Sequence, residues 1–404
     1  MPALLPVRKF WDQLQLLFQR QPLSVQSTVA DHTFAYVQPF PQSEGLRAEA
    51  TTAGRTLVTV STTIDPALEK EVLEQRLPRI DYFEFARAFQ ADLIDYEAAR
   101  RQTGWVGRLL EWIGGPNLTL AYATYRQSNH YKVIFTDGEH IGIPLAFFCK
   151  LSGRRPRHLM LTHVLSVYKK MIFFDLFHIQ SHIDLFIVYS SRQRRFIEER
   201  WHLPETQIAY TPFTVDTVFY SQDRITVTPR RMICSAGREC RDYPTLIEAV
   251  RDLDLDVVIA AGSPYSKRRD TTKEVEIPAN VLVDQLGPRA LRQAYADSLF
   301  VVVPLYDVDF QAGVTVILEA MSMGKAIICS RTRGQTDVVV HGETGLYVEP
   351  GNPAALRAAI EQLLHDPELT KRMGEAGRRR AETLMSLDRY TERLTDHVQR
   401  ALLS

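Results

Sequence analysis

Met232-Ile233-Cys234-Ser235-Ala236-Gly237-Arg238-Glu239-Cys240-Arg241-Asp242-Tyr243-Pro244 opens the more legible half of the chain. A short apolar run with strand character leads into a glycine, a charged loop and then a helix expected over Thr245 to Asp252. The unit repeats downstream. Val257 to Ala261, Val281 to Asp284, Leu299 to Pro304, Ala326 to Ser330 and Gly345 to Val348 read as strands separated by helical stretches, the pattern of a parallel sheet covered on both faces. Upstream, Thr56 to Ser61, Val133 to Thr136, His158 to Thr162 and Leu185 to Tyr189 form an earlier set. The fold class is therefore α/β, with two doubly wound domains and a cleft between them. Phe213 to Arg231 has neither a long apolar run nor a clean helical period. It separates a first domain over 1–215, a linker over 216–230 and a second domain over 231–385. Helices are expected over Pro353 to Leu364 and Pro367 to Thr383, the first started by Asn352, and a last one over 386–404 is expected to pack back on the first domain.

Size and composition agree with this division. The chain has 404 residues, more than the roughly 250–300 at which one core tends to split. Forty-eight basic residues balance forty-eight acidic ones, which argues against a nucleic-acid partner. Cys149, Cys234, Cys240 and Cys329 show no paired spacing, so a reducing cytoplasm is the expected compartment. Charged and amide residues interrupt the first stretch, and no apolar run long enough to span a bilayer follows. Two aromatic stripes at helical spacing stand out. Phe10, Trp11, Leu14, Leu17 and Phe18 form one; Trp105, Leu109, Leu110, Trp112 and Ile113 form the other, beside Arg101 and Arg108. Each is read as a helix packed on its domain, with peripheral contact at the inner face of the membrane as the alternative.

In open α/β sheets ligands sit beyond the carboxyl ends of the strands, so the segments after the strands are where chemistry is expected. Gly237 allows close backbone approach, and Arg238 and Arg241 are spaced to clamp a diphosphate. A solvated loop pairing with Glu239 and Asp242 is the plainer alternative. Pro304 to Thr315 runs into a helix expected over Val316 to Met323, whose N-terminus is an anion site in waiting. Glu319 lies on that helix among apolar neighbours and needs a partner; the hydroxyls of a ribose would serve, as would an arginine. In the first domain, Asp137, Glu139 and His140 follow one strand and His163 follows the next. By residue type the first three suit a metal, but holding an acceptor is the preferred reading, and no metal is expected.

Together these segments resemble the retaining glycosyltransferases of family 4, which have the GT-B fold of two Rossmann-like domains. The resemblance rests on Gly237-Arg238 with Arg241-Asp242-Tyr243, on Gln311 to Glu319 continued to Lys325, and on Gly342-Glu343-Thr344-Gly345-Leu346 with Pro350 and Asn352-Pro353. It covers about Ile208 to Ala381 and is weak before Lys132. Arg241 stands where the family usually has lysine. Gln311 stands where the family has the first of two paired glutamates. The resemblance implies catalytic roles for His163, Arg238, Arg241 and Gln311. It implies donor binding by Gly237, Arg238, Arg241, Leu286, Gln311, Ala312, Gly313, Val314, Thr315 and Glu319. It also implies a nucleotide-sugar donor, with uridine diphosphate favoured, a glycan, lipid-linked or small-molecule acceptor, and no cofactor. Because an amide brings no negative charge to the sugar, a sugar-nucleotide-binding protein without turnover is the alternative.

Overall fold

The first sheet contains β1 (Thr56–Thr59), β2 (Asp92–Ile94), β3 (Val133–Thr136), β4 (Arg157–Thr162), β5 (Leu185–Val188) and β6 (Ile208–Tyr210), all parallel. Their order is β2-β1-β3-β4-β5-β6. The structure is a computed structural model and describes residues 55–262 and 270–404. The Phe10 to Phe18 stripe lies outside them. Strand residues alternate between two buried faces. Val58, Phe135, Leu159 and Ile187 meet α2 (Asp81–Phe89), which lies with α1 (Leu68–Leu73) between β1 and β2. Leu57, Ile134, Met160 and Phe186 point the other way. That face is covered by α3 (Tyr96–Gly114), α4 (Pro116–Gln127), α5 (Glu139–Ser152), α6 (Tyr168–Asp175) and α7 (Ser191–Trp201).

The second sheet repeats the plan with β7 (Met232–Ala236), β8 (Asp256–Ala260), β9 (Val281–Asp284), β10 (Phe300–Val303), β11 (Ala326–Ser330) and β12 (Gly345–Val348), in the order β12-β11-β10-β7-β8-β9. Its helices are α8 (Tyr243–Val250), α9 (Pro288–Asp297), α10 (Val314–Ser322), α11 (Pro353–His365) and α12 (Pro367–Leu384). The expected α/β architecture of two doubly wound sheets is what the chain adopts. Both sheets contain a switch point, between β1 and β3 in the first and between β7 and β10 in the second, where successive connections run in opposite directions. The strands that sequence reading missed, β2 and β6, are the two edges of the first sheet and only three residues long each. α8 and α10 start two residues earlier than expected, because the Asp242 side chain caps one and Gly313, at φ 78°, turns the chain into the other.

The last helix, α13 (Leu387–Leu403), leaves the second sheet and packs on the first. Its Tyr390, Leu394 and Val398 join Val58, Phe85 and Phe135 in one core. The two crossings between the sheets run side by side: Val215 N–H donates to Met385 O and Leu387 N–H to Val215 O, both at 2.9 Å. Arg79, just before α2, ties them together by donating to Asp216 at 3.0 Å and Asp388 at 2.7 Å.

One expectation fails. The stripe on α3 does not pack on its domain: Trp105 is 71% exposed, Leu109 48%, Trp112 84% and Ile113 62%. The helix breaks at Gly104 (φ 56°), so the first limb, through Ala99 and Thr103, covers the sheet and the second folds back outside it.

Leu394→Ala should destabilise the fold by about 2–5 kcal/mol, because it removes a buried side chain from the only helix that joins the second domain's end to the first domain's core among the described residues. Urea unfolding followed by circular dichroism measures it; a loss under about 1 kcal/mol would contradict this packing.

Candidate active site

At the switch point of the second sheet, the loops after β7 and β10 are stitched together. Asp242 N–H donates to Pro304 O and Tyr306 N–H to Cys240 O, each at 3.1 Å. Between them lies Arg241, only 4% exposed. Its Nε donates to Ala236 O at 2.8 Å and its Nη1 to Glu239 O at 2.7 Å. No carboxylate pairs with it among the described residues. A buried guanidinium held only by carbonyls keeps its positive charge uncompensated, which suits an incoming anion. The glycines leave room for it. A Cβ at Gly237 (φ 90°) would lie 2.5 Å from Arg241 Nη2, and one at Gly313 2.9 Å from Val303 Cγ1 and 3.4 Å from Arg241 Nη1. Gly237, Arg241 and Gly313 therefore share one small volume. Arg238, next to the glycine, makes no hydrogen bond or ion pair among the described residues and buries its Nε.

Across this volume, α10 begins at Gly313 without a side-chain cap, so the first-turn N–H groups of Val314 and Thr315 are unsatisfied and Thr315 is exposed. Gln311 is 4% exposed, and among the described residues neither its Oε1 nor its Nε2 has a partner. Ala312 O accepts from the fully buried Gln335 Nε2 at 2.9 Å, which fixes the turn. Glu319, one turn further along α10, is buried; Tyr295 Oη donates to its Oε2 at 3.0 Å. Burial pushes its carboxyl up to about 7, against the pull of the Tyr220 and Tyr295 hydroxyls and of Arg241. Leu286 lies half-buried just after β9, at the far side of the same sheet end.

The first sheet presents its own switch point. Asp137 reaches from the end of β3 to the end of β1, accepting from Thr59 Oγ1 and Ser61 N–H at 2.7 Å each. Glu139 accepts from His163 N–H at 2.8 Å, Val164 N–H at 3.2 Å and Lys170 Nζ at 2.6 Å. Although burial alone would raise its carboxyl, the nearby His163 ring and Lys170 hold it down at about 2. Both carboxylates are thus spent on the protein. Among the described residues, no group of three or more His, Cys, Asp or Glu is arranged to hold a metal ion. His163 is held from both sides, its Nε2 3.1 Å from Asp137 O and its Nδ1 3.2 Å from Tyr189 Oη. Since a carbonyl only accepts, Nε2 carries a hydrogen towards Asp137 O; in the neutral ring Nδ1 then accepts from the Tyr189 hydroxyl, and in the charged ring it donates to it. His140, half-buried over Gly138, makes no ring hydrogen bond among the described residues; burial lowers its pKa.

Sequence reading missed the residues that join the two sheets here. Asp337, after β11, accepts from Ser191 N–H and Oγ at 2.7 Å each and so caps α7 of the first sheet. Next to it, Arg192 pairs with Asp309 of the β10 loop at 2.8 Å, and Arg333 pairs with Asp309 and Asp307. The spacing of these residues carries no local signal; their meaning appears only when both sheets are in place.

Residues 227–380 match the family described as glycosyl transferases group 1. A D-inositol 3-phosphate glycosyltransferase of Corynebacterium glutamicum is 32% identical over 226 residues, 50% of this chain and 53% of that protein. An uncharacterized glycosyltransferase of Methanocaldococcus jannaschii is 28% identical over 134 residues, 33% of this chain and 37% of that one. The chain thus spans about half or less of the length of these curated relatives. In structure it is similar to sucrose-phosphate synthase from Thermosynechococcus elongatus, with a TM-score of 0.64, 18% identity and coverage of 86% of this chain and 99% of that one. It is likewise similar to Anabaena HepE in complex with UDP-glucose, with a TM-score of 0.63, 13% identity and coverage of 86% and 99%. At such identities the likeness is one of fold. Residues 227–380 are thus similar to glycosyl transferases group 1, and the two Rossmann-like sheets form the GT-B fold.

Proposed function

We propose that this protein is a retaining, metal-independent glycosyltransferase that moves a sugar from a nucleotide sugar to a hydroxyl-bearing acceptor held by the first domain. The buried, carboxylate-free Arg241 carries the proposal, set as it is between two glycine loops and facing an uncapped helix N-terminus. A diphosphate meets each of these needs at once, and none of them requires a divalent cation. Arg238, Arg241 and the N–H groups of Val314 and Thr315 then stabilise the charge that builds on the leaving nucleoside diphosphate, an electrostatic contribution fixed before the reaction starts. Gln311 turns its unpartnered amide to the hydroxyls of the transferred sugar. Glu319 takes the ribose and Leu286 lies by the base. HepE was solved with UDP-glucose, which favours a uridine donor here.

On the acceptor side, Asp137 and Glu139 act as positioning residues, and His140 and His163 line the crevice. The acceptor is a glycan, a lipid-linked intermediate or a small metabolite, and the protein works in the cytoplasm with peripheral contact at the inner face of the membrane. No described helix is long and apolar enough to cross one. One observation favours a second reading, a donor-binding protein without turnover: the side chain proposed to meet the sugar, Gln311, is neutral.

Chelator-treated protein is mixed with uridine, guanosine and adenosine diphosphate sugars, and binding heat and release of nucleoside diphosphate are both recorded. Binding with release supports the transferase. Binding without release, with cell-extract acceptors present, supports the second reading, and binding of no nucleotide sugar removes both. Arg238→Ala should weaken donor binding by about 10- to 100-fold, the scale of one charge-assisted contact to phosphate.

The raised Glu319 carboxyl makes a separate prediction. Its folded pKa of about 7 exceeds the unfolded value near 4.5, so the folded state holds the extra proton between them. Stability from this group is therefore full at low pH and is lost as pH rises through about 7, up to about 3 kcal/mol. Relative to wild type, Glu319→Gln should gain thermal stability steadily from about pH 5 to pH 8. A constant difference between the two melting curves across that range would show that the carboxyl is not raised.

A further inference from the structure

The exposed limb of α3 carries several large apolar side chains that the fold leaves uncovered among the described residues. Trp105, Leu109 and Trp112 follow one another at spacings of four and three, which puts them on one helical face with Ile113 at its margin. The opposite side of the limb is tied down: Thr119 Oγ1 donates to Gly107 O at 2.9 Å, and Arg100 pairs with Glu111 at 2.6 Å. The face is therefore held open by the fold. Single exposed apolar side chains are common, but a stripe with two indoles 71% and 84% exposed marks a contact surface. On the same side of the sheet, α6 shows Tyr168 at 74% and the residue just after the helix, Leu176, at 67%.

Charge identifies the occupant. From Tyr96 to His178, the stretch that builds this side of the sheet, there are eleven Lys and Arg against five Asp and Glu, in a chain that has 48 of each. All five acids are already occupied. Glu97 and Glu111 pair with Arg101 and Arg100, Asp175 with Arg200, Glu139 with Lys170, and Asp137 takes the Thr59 hydroxyl and Ser61 N–H. Arg108 beside the stripe and Lys169 beside Tyr168 have no ion pair among the described residues, and both are exposed. Indoles at the edge of a basic, apolar face fit the headgroup layer of an anionic bilayer, where the rings sit at the polar boundary and the cations meet lipid phosphates.

We propose that this side of the first sheet docks on an anionic lipid bilayer, with Trp105, Leu109, Trp112 and Ile113 inserted at headgroup depth and Arg108 and Lys169 against lipid phosphates. The limb also points the right way. Tyr96, just beyond the carboxyl end of β2, hydrogen-bonds Asn117, while Gln102 lies by Arg126 at the opposite end of α4; the chain runs down the first limb, turns at Gly104 and climbs back to the cleft end. Docking there brings the membrane beside the crevice of Asp137, His140 and His163. The inference deepens the proposed peripheral membrane contact and rests on it, and it narrows the acceptor to a molecule presented at the membrane surface.

The test is co-sedimentation of the full chain with phosphatidylcholine vesicles and with mixed phosphatidylcholine–phosphatidylglycerol vesicles. Wild type should partition onto the mixed vesicles and at least about tenfold less onto the neutral ones. Trp105→Ser with Trp112→Ser should lower partition to the mixed vesicles by roughly tenfold or more, and Arg108→Glu should lower it further as salt is reduced. Both positions are exposed, so circular dichroism and nucleotide-sugar binding should be unchanged in the double variant. Undiminished binding by that variant, or no binding by wild type, overturns the proposal. So does light scattering that shows a wild-type dimer becoming a monomer in the variant, since the face would then belong to a second copy. Donor binding in solution is read separately, so a failure here leaves the transferase reading standing and a failure there leaves this one.

Discussion

A positive charge that the protein buries without neutralising organises the second domain. Arg241 is placed by its own backbone, which pairs with Leu305 in an isolated antiparallel bridge, and by the carbonyls of Ala236 and Glu239. Carbonyls orient a guanidinium but do not cancel its charge. Such an arrangement is costly unless an anion offsets the charge, and the proposed diphosphate is such an anion. The glycines at 237 and 313, the uncapped start of α10 and the cross-stitching of the two loops all follow from keeping that space open. Tyr243 belongs to the same scheme: its hydroxyl donates to Gly237 O and fixes the turn from beneath.

The first domain solves the matching problem with opposite charges. Asp137 and Glu139 each collect several donors, and in doing so fix the loops after β1, β3 and β4 relative to one another. Glu139 and the Asp137 carbonyl also hold His163 in place. Between the two halves, Asp337 caps a helix of the opposite sheet and Arg192 reaches Asp309 in the β10 loop. Those contacts couple the position of the first sheet to the loop that carries Gln311. A shift of one domain would be felt two residues from that amide.

The legible part of this molecule is the part governed by local rules. β7, β9, β11 and β12 were readable to the residue because their runs are apolar on both faces and end at glycine or polar turns. β2 and β6 were not, since three-residue edge strands carry too little pattern to separate from loop. Arg241 and Gln311 were legible as positions, from motif spacing, but their burial and lack of partners were not. Asp137 and Glu139 show the opposite error: carboxylates after a strand suggest ligand contact, and only the folded loops reveal that backbone N–H groups and Lys170 claim them. For α3, helical periodicity correctly found an amphipathic helix but does not tell which neighbour covers it, because the break at Gly104 decides whether the apolar face turns in or out.

Gln311 connects these points. A carboxylate at that position would enter the loop just before α10, the helix that carries a carboxyl already raised to about 7. Two such groups near one another cannot both ionise without cost, and the neighbouring charge of Arg241 would be shared between them. With an amide there, no second carboxylate competes for the charge of Arg241. The amide also offers both a donor and an acceptor, and leaving both unsatisfied at 4% exposure is destabilising unless a ligand supplies the partners. A sugar hydroxyl does so in either direction. On the proposed reading, Gln311 grips the sugar without charging it, and the burden of lowering the barrier falls on the phosphate side of the cleft.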